Sequence, residues 1–268
     1  MIPLALNHMV RAHSRFAAFA KTAHKLGITD VEIRNDLPGI EIADGTAAIS
    51  LRAQADDIGV RIIALNALQR FDEWTDARAT EAEHLAAYAN VCGADLVLCP
   101  VNDRSDARSS ARRADDLRRA LRQLAPILER HDVRGLVEPL GFPECALRTK
   151  KAALAAIDET ETGYVFALLH DTFHHALSGE QEMFPSRTGL VHVSGVTDAT
   201  LPVESIRDEH RVLVTHQDRL GTLAQVRRLR DGAYGDLISL EPFAVSVYAA
   251  PDADQALADC IDLLRSTE

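Results

Sequence analysis

The sequence predicts a single-domain α/β fold, a (β/α)8 TIM barrel. Short apolar runs alternate with longer amphipathic ones along all 268 residues, and eight strand-helix pairs in this order are typical of a closed barrel of parallel strands. The length is within the range of one barrel domain. No linker, low-complexity tract or block of like charge divides residues 1–268. We therefore expect one domain.

The predicted elements follow one another in a regular order. Strand-like runs, short and rich in Val, Ile and Leu, occupy residues 2–6, 30–34, 61–66, 96–100, 135–138, 165–171, 190–194 and 237–241. Helix-like stretches with apolar residues three and four apart occupy residues 16–26, 46–58, 77–92, 109–130, 150–160, 179–184, 222–231 and 252–264, of which 179–184 has the weakest pattern. Glycines at positions 27, 59, 93 and 232 follow four of these helices and indicate their ends.

Composition disfavours several classes of function. Twenty-nine Lys and Arg against 40 Asp and Glu give a formal net charge of -11, which repels nucleic-acid backbones and anionic membranes. The N-terminus lacks the basic start and long apolar run of a signal peptide, and no run approaches the roughly 20 apolar residues of a membrane span. The four cysteines are scattered without CxxC pairs, as in a reduced cytoplasmic protein. We expect a cytoplasmic protein with neither a nucleic-acid nor a membrane partner.

Four successive predicted strands end in side chains that can bind a metal ion. They are Glu138, Asp171, His192 and Glu241. A lone carboxylate after a strand is more often a helix cap or part of a loop salt bridge. Three carboxylates beside a histidine at one mouth of a barrel are harder to explain in this way, because the carboxylates would repel one another unless a cation neutralised them or one stayed protonated. We therefore expect one divalent ion, for which Mn²⁺, Zn²⁺, Co²⁺ and Mg²⁺ all suit three oxygens and one nitrogen.

Other polar residues near the strand ends are candidates for substrate binding. His174 follows the proposed ligand Asp171 by three residues and could face a bound substrate, although it could instead cap the next turn. Asn66 and Glu32 could hydrogen-bond hydroxyl groups or support neighbouring ligands. Trp74 lies in a polar segment, which favours a lid over the cavity.

Six segments, in order along the chain, resemble the inosose isomerase (2-keto-myo-inositol isomerase) family of xylose-isomerase-like barrels. The segments are residues 31–36, 63–67, 137–142, 171–175, 189–196 and 240–243. The resemblance implies that the four residues named above bind the divalent ion and that His174 and Arg211 contact substrate oxygens. Taken alone, Arg211 could equally be a surface residue that pairs with Asp208 or Glu209.

The predicted activity is isomerisation of a keto-inositol or a close keto-polyol or sugar. Glu138 and Glu241 could stand on either side of an enediolate, one removing a proton and one returning it, and a hydride shift is the alternative. Inosose dehydratase, hydroxypyruvate isomerase and ketose epimerase activities need nearly the same groups. More distant alternatives are an apurinic endonuclease and a non-catalytic sugar-binding protein. A homodimer is compatible with the sequence.

Overall fold

The structure is a computed structural model that describes residues 2–267. Eight parallel strands close into a barrel in which each strand pairs with the next and the last pairs with the first. The strands are β1 (Leu4–Asn7), β2 (Asp30–Arg34), β3 (Arg61–Gln69), β4 (Asp95–Cys99), β5 (Gly135–Val137), β6 (Phe166–Asp171), β7 (Thr188–Val193) and β8 (Ile238–Leu240). The predicted (β/α)8 barrel is confirmed.

Helices connect successive strands and surround the barrel. They are α1 (Phe16–Lys25), α2 (Ala48–Ile58), α3 (Asp76–Cys92), α4 (Ser110–Arg130), α5 (Lys150–Glu159), α6 (Thr172–Ser178), α7 (Thr222–Asp231), the single turn α8 (Ser246–Ala249) and α9 (Ala253–Arg265). Among residues 2–267, no helix combines the length and the apolar composition that a membrane crossing requires.

Local sequence signals explain several helix boundaries. The side-chain oxygens of Thr75, Ser109 and Thr149 each accept a hydrogen bond from a first-turn backbone N–H of α3, α4 and α5. Helices α2 and α3 end at Gly59 and Gly93, whose φ angles of 83° and 72° lie in the left-handed region that favours glycine. These two ends agree with the prediction from sequence.

The predicted helix at residues 179–184 is wrong. The helix after β6 is α6, which begins directly at the strand end because the Asp171 carboxylate accepts hydrogen bonds from the backbone N–H groups of Phe173 and His174. It ends at Gly179, whose φ of 73° terminates the helical hydrogen bonding. The weak sequence pattern predicted a helix that begins at Gly179, whereas α6 ends there.

Alternation along the strands decides which side chains reach the barrel interior. Val97, Leu136, Leu169 and Leu190 point inward and belong to the buried apolar cluster inside the barrel. Leu98, the neighbour of Val97, points outward and belongs to the larger cluster that packs against the helices. Because side chains alternate between the two faces of a strand, a residue two positions after an inward leucine also points inward. On β5, β6 and β7 that residue lies at the C-terminal mouth of the barrel.

Candidate metal centre and active site

Four predicted ligands meet at the C-terminal mouth of the barrel. Glu138, Asp171, His192 and Glu241 are all buried, and each offers one ligand atom within 4.8 Å of the others. Glu138, Asp171 and His192 each lie two residues after an inward leucine. These residues could hold one divalent cation.

Backbone hydrogen bonds hold these residues in register. Asp171 on β6 lies directly beside His192 on β7. The backbone N–H of Glu138 donates to the Leu98 carbonyl at 3.1 Å, and that of Glu241 donates to the Val193 carbonyl at 2.9 Å. Asp171 and His192 therefore start within strands, and Glu138 and Glu241 start one residue after a strand end that these hydrogen bonds hold in place.

The His192 ring is oriented as in a histidine that binds a metal. Its Nε2 lies 3.0 Å from Glu32 Oε2, which makes Nε2 the protonated nitrogen. Its Nδ1 lies 3.1 Å from a Glu241 oxygen and 3.5 Å from a Glu138 oxygen, and makes no hydrogen bond among residues 2–267. A carboxylate behind one ring nitrogen with carboxylates around the other is the pattern of a protein site for a divalent cation. The donor set therefore fits the predicted ion.

Two buried arginines offset the negative charge of the cluster. Arg211, 1% exposed, places Nη2 2.6 Å from an Asp171 oxygen and 2.9 Å from a Glu241 oxygen. The alternative interpretation of Arg211 as a surface residue is therefore wrong, although its pairing with Asp208 is present, with Nη1 3.3 Å from Oδ1. Arg34 places Nη1 2.6 Å from the other Glu241 oxygen and pairs through its second edge with Asp36.

These cations control the protonation of Glu241. Burial by itself would raise the pKa of this carboxyl group, but His192 and the two guanidinium groups of Arg211 and Arg34 hold the pKa well below its ordinary value. Burial also lowers the pKa of His192, yet the Glu241 and Glu32 carboxylates outweigh it and raise that pKa, so a bound cation would displace the Nδ1 proton. Glu241 is therefore a carboxylate at neutral pH.

A cavity of about 340 Å³ opens beside the cluster. The predicted residues that line it are Asn66, Glu138, His174, Arg211 and Glu241. Its volume and polar lining suit a small hydroxylated molecule. The His174 ring packs edge-on against Phe142 and Phe173, with centroids 5.1 and 5.0 Å away, which fixes the ring at the cavity wall.

The structure does not support two of the predicted substrate contacts. Glu32 is fully buried beneath His192, where it also accepts hydrogen bonds from Asn66 and the Ser239 hydroxyl. Glu32 is therefore placed to support the candidate metal ligand His192, in agreement with the second of the two roles that the sequence allows it. Trp74 packs against the apolar layer that contacts the helices, and its carbonyl accepts a hydrogen bond from Arg119.

The position of Trp74 has a physical reason. The preceding residues Phe71 and Asp72 are buried, and Asp72 accepts a hydrogen bond from the Val101 backbone N–H at 2.7 Å. This anchors the segment after β3 against the barrel. The polarity of the segment suggested a lid, but the tryptophan instead covers part of the core.

Sequence reasoning gave no role to Asn7, Arg34 and Cys99, which contact the cluster; Asn7 Nδ2 donates to a Glu241 oxygen at 3.3 Å. Arg34 ends β2 and pairs with Glu241 across the mouth. Cys99 ends β4 facing inward, and its thiol donates to the second oxygen of Glu138 at 3.3 Å. Burial, followed by the Glu138 charge, raises the Cys99 pKa, so the thiol stays protonated. Inward alternation on β2 and β4 was the signal that could have found Arg34 and Cys99.

The fold and this site define a member of a known family of barrels. Residues 20–267 match the family described as Xylose isomerase-like TIM barrel, and the chain belongs to that family. A xylose isomerase domain containing protein from Salmonella typhimurium is 31% identical, with a TM-score of 0.89, over 98% of this chain and 97% of that one.

Two further proteins share the fold or part of the sequence. An inosose isomerase from Bacillus licheniformis is 29% identical over 136 residues, which span 48% of this chain and 46% of that protein. The match therefore covers about half the length of this curated relative. The IolI protein, whose crystal structure holds a zinc atom, has a TM-score of 0.84 and 21% identity over 100% of this chain and 99% of that one.

Proposed function

We propose that the protein is a divalent-metal-dependent isomerase of 2-keto-myo-inositol or a close keto-polyol. The observation that carries the proposal is the convergence of three carboxylates and the free Nδ1 of His192 beside a polar cavity. The partial similarity to an inosose isomerase supports the choice of substrate.

The candidate ligands and the arginines have separate tasks in this proposal. Glu138, Asp171, His192 and Glu241 hold the ion, and their three oxygens and one nitrogen suit Mn²⁺, Zn²⁺, Co²⁺ and Mg²⁺. When bound, a divalent ion polarises a substrate carbonyl and offsets the charge of an enediolate. Arg211 and Arg34 keep Glu241 ionised, so Glu241 is suited to remain a ligand.

Glu138 is the better candidate for the base. A neutral thiol, Cys99, is its side-chain hydrogen-bond donor, whereas Glu241 contacts two guanidinium groups. Both carboxylates would lie against the ion, but Glu241 is also held by two guanidinium groups, and each added cation makes a carboxylate a weaker base. We therefore assign to Glu138 the removal of the proton from the carbinol carbon and its return to the neighbouring carbon, while the hydroxyl proton passes to the former carbonyl oxygen.

Other residues on the cavity orient the substrate. His174 and Asn66 present polar groups to it, and the aromatic ring of Phe243 lies on the cavity wall against both arginines. A flat ring beside hydrogen-bonding groups suits a cyclic polyol, because one face of such a molecule is formed by C–H groups.

The test is incubation of the manganese-loaded protein with 2-keto-myo-inositol in deuterated water, with the products followed by NMR after removal of the metal. We expect the wild type to form a new keto-inositol that carries deuterium. The control variant Asp95→Asn should form it too, because Asp95 begins β4 and so lies at the N-terminal mouth of the barrel, away from the candidate site. Glu138→Gln should form none. A product without deuterium indicates a hydride shift, and an unsaturated product indicates a dehydratase. An unchanged substrate contradicts the proposed sugar.

A further inference from the structure

A second cluster of buried ionisable groups lies behind the candidate active site and takes no part in the proposed mechanism. Lys150, the first residue of α5, is only 3% exposed. Its ammonium Nζ donates to His170 Nδ1 at 2.9 Å and to His175 Nδ1 at 2.7 Å. Glu180 Oε2 lies 3.6 Å from the same Nζ.

The hydrogen bonds of the cluster fix the tautomers of both imidazoles. Because Nδ1 accepts from Lys150 in each ring, the proton of each neutral ring is on Nε2. His170 Nε2 then donates to the Gln225 side-chain oxygen at 3.1 Å, and the Gln225 amide donates to the Thr172 carbonyl. The network thus joins α5, β6, α6 and α7 around the segment that carries His174.

A small cavity connects this cluster to His174. It measures about 10 Å³ and is lined by Lys150, His174, His175 and Glu180, together with Pro139, Arg148, Leu169, Asp171 and Ser178. That volume is close to what one water molecule needs. Its polar walls offer the several hydrogen-bond partners that a buried water requires.

Two residues that line this cavity have unused hydrogen-bonding capacity. His174 Nδ1 is buried and makes no hydrogen bond among residues 2–267. The ammonium of Lys150 has three donors, two of which go to the imidazoles, and the 3.6 Å to Glu180 is too long for a direct hydrogen bond. The other cation on the wall, Arg148, donates to the Gly141 carbonyl at 2.9 Å.

We propose that one water molecule binds in this cavity, and that through it Lys150 acts as a positioning residue for His174. In this arrangement the water accepts from the third N–H of Lys150 and donates one hydrogen to Glu180 and the other to His174 Nδ1. His174 is then an acceptor at Nδ1 and carries its proton on Nε2. It therefore presents an N–H donor, suited to a carbonyl or hydroxyl oxygen, to the substrate cavity.

The proposal assigns a role to the buried charge of Lys150. A lysine ammonium can only donate, so the water accepts from it and both hydrogens of the water are available to the two acceptors on the wall, Glu180 and His174 Nδ1. A neutral hydroxyl or amide at this position could reverse the direction of its hydrogen bond with the water. The effect on turnover, but not the tautomer itself, rests on the function proposed above.

The first test is spectroscopic and requires no substrate. Long-range ¹⁵N–¹H spectra of the zinc-loaded protein should show the Nε2–H tautomer for His174, assigned by loss of its signals in His174→Gln. In Lys150→Met we expect His174 to become a mixture of tautomers. The matched control is Lys151→Met, because Lys151 is the next residue of α5 and its side chain is 75% exposed. This control should match the wild type.

A crystal structure of the wild type tests the water even if Lys150→Met fails to fold. We expect density for one water within hydrogen-bond distance of His174 Nδ1 and Lys150 Nζ. Absence of that density in a well-ordered cavity overturns the proposal, as does an Nδ1–H tautomer of His174 in the wild type.

Kinetics separate positioning from a purely structural role. We expect Lys150→Met to lower kcat by about tenfold or more with a smaller change in KM, because a misoriented donor affects the reacting geometry most. If Lys150→Met loses thermal stability but keeps the wild-type His174 tautomer and kcat, Lys150 is only structural. If the tautomer changes while no keto-inositol reacts with any variant, the proposed substrate is wrong and the positioning role stands.

Discussion

The two mouths of the barrel contain similar groups in different surroundings. The N-terminal mouth has the larger cavity, about 410 Å³ against 340 Å³, and ion pairs between Arg61 and Asp30 and between Arg134 and Asp95. Its two arginine side chains are 70% and 47% exposed, whereas Arg211 at the C-terminal mouth is 1% exposed. Exposed ion pairs contribute little to the free energy of unfolding, whereas a buried charge is strongly destabilising unless a group of opposite charge contacts it. Desolvated charge, rather than cavity size, therefore distinguishes the candidate site.

The largest expected difference between the mouths comes from removing one carboxylate charge at each. Asp171→Asn keeps an oxygen that can cap α6 but removes a ligand charge, so we expect loss of metal binding and a fall in kcat/KM on the order of 10³-fold or more. Asp95→Asn should stay close to the wild type. Metal titration by calorimetry and steady-state assays measure both. If Asp171→Asn and Asp95→Asn lowered metal affinity and kcat/KM equally, the proposed difference between the two mouths would be wrong.

Removal of one arginine at each mouth tests the cost of buried charge. In protein stripped of metal, Arg211→Met leaves Asp171 and Glu241 without this guanidinium and should lower the free energy of unfolding by about 3–5 kcal/mol. Arg134→Met should lower it by about 1 kcal/mol or less. Urea denaturation measures both values, and added Mn²⁺ should recover part of the first loss. A similar loss in both variants would contradict the comparison.

The buried Lys150 beside the C-terminal mouth should make stability depend on pH. Burial lowers its pKa from 10.5 to about 8, partly offset by Glu180. The folded protein therefore loses this proton at lower pH than the unfolded chain does. Stability relative to Lys150→Met should rise between about pH 8 and 10.5, by roughly 3 kcal/mol in total, and stay constant below that window. Urea denaturation across this range measures the difference, which a flat profile would contradict.

The smallest expected effect concerns the carboxylate behind His192. Glu32→Gln can still accept from His192 Nε2 but loses the charge that makes Nδ1 a better ligand, so metal affinity should fall by roughly 10–100-fold. Glu41→Gln is a matched control, because Glu41 is also buried but bonds Arg15 and the Phe16 backbone instead. Calorimetric titration with Zn²⁺ compares the two. Unchanged affinity in Glu32→Gln would mean that the ring needs no charged partner.

Sequence patterns predicted the strands and most helices because each depends on local chemistry. Apolar runs mark the eight strands, and Gly59 and Gly93 end their helices where a left-handed residue was expected. The error at residues 179–184 arose because α6 is too short to show a clear period. The resemblance recognised from six segments is confirmed at the level of the family.

The sequence by itself determined the barrel and the identity of the four candidate ligands, because strand alternation and strand ends are properties of neighbouring residues. Only the tertiary structure decided which groups support them. Glu32 lies 160 positions before His192, and Arg34 lies 207 positions before Glu241. Such pairs form when closure of the barrel brings distant strand ends together. Local pattern carries no information about that proximity, so the burial of Arg211 and the placement of Trp74 required the fold.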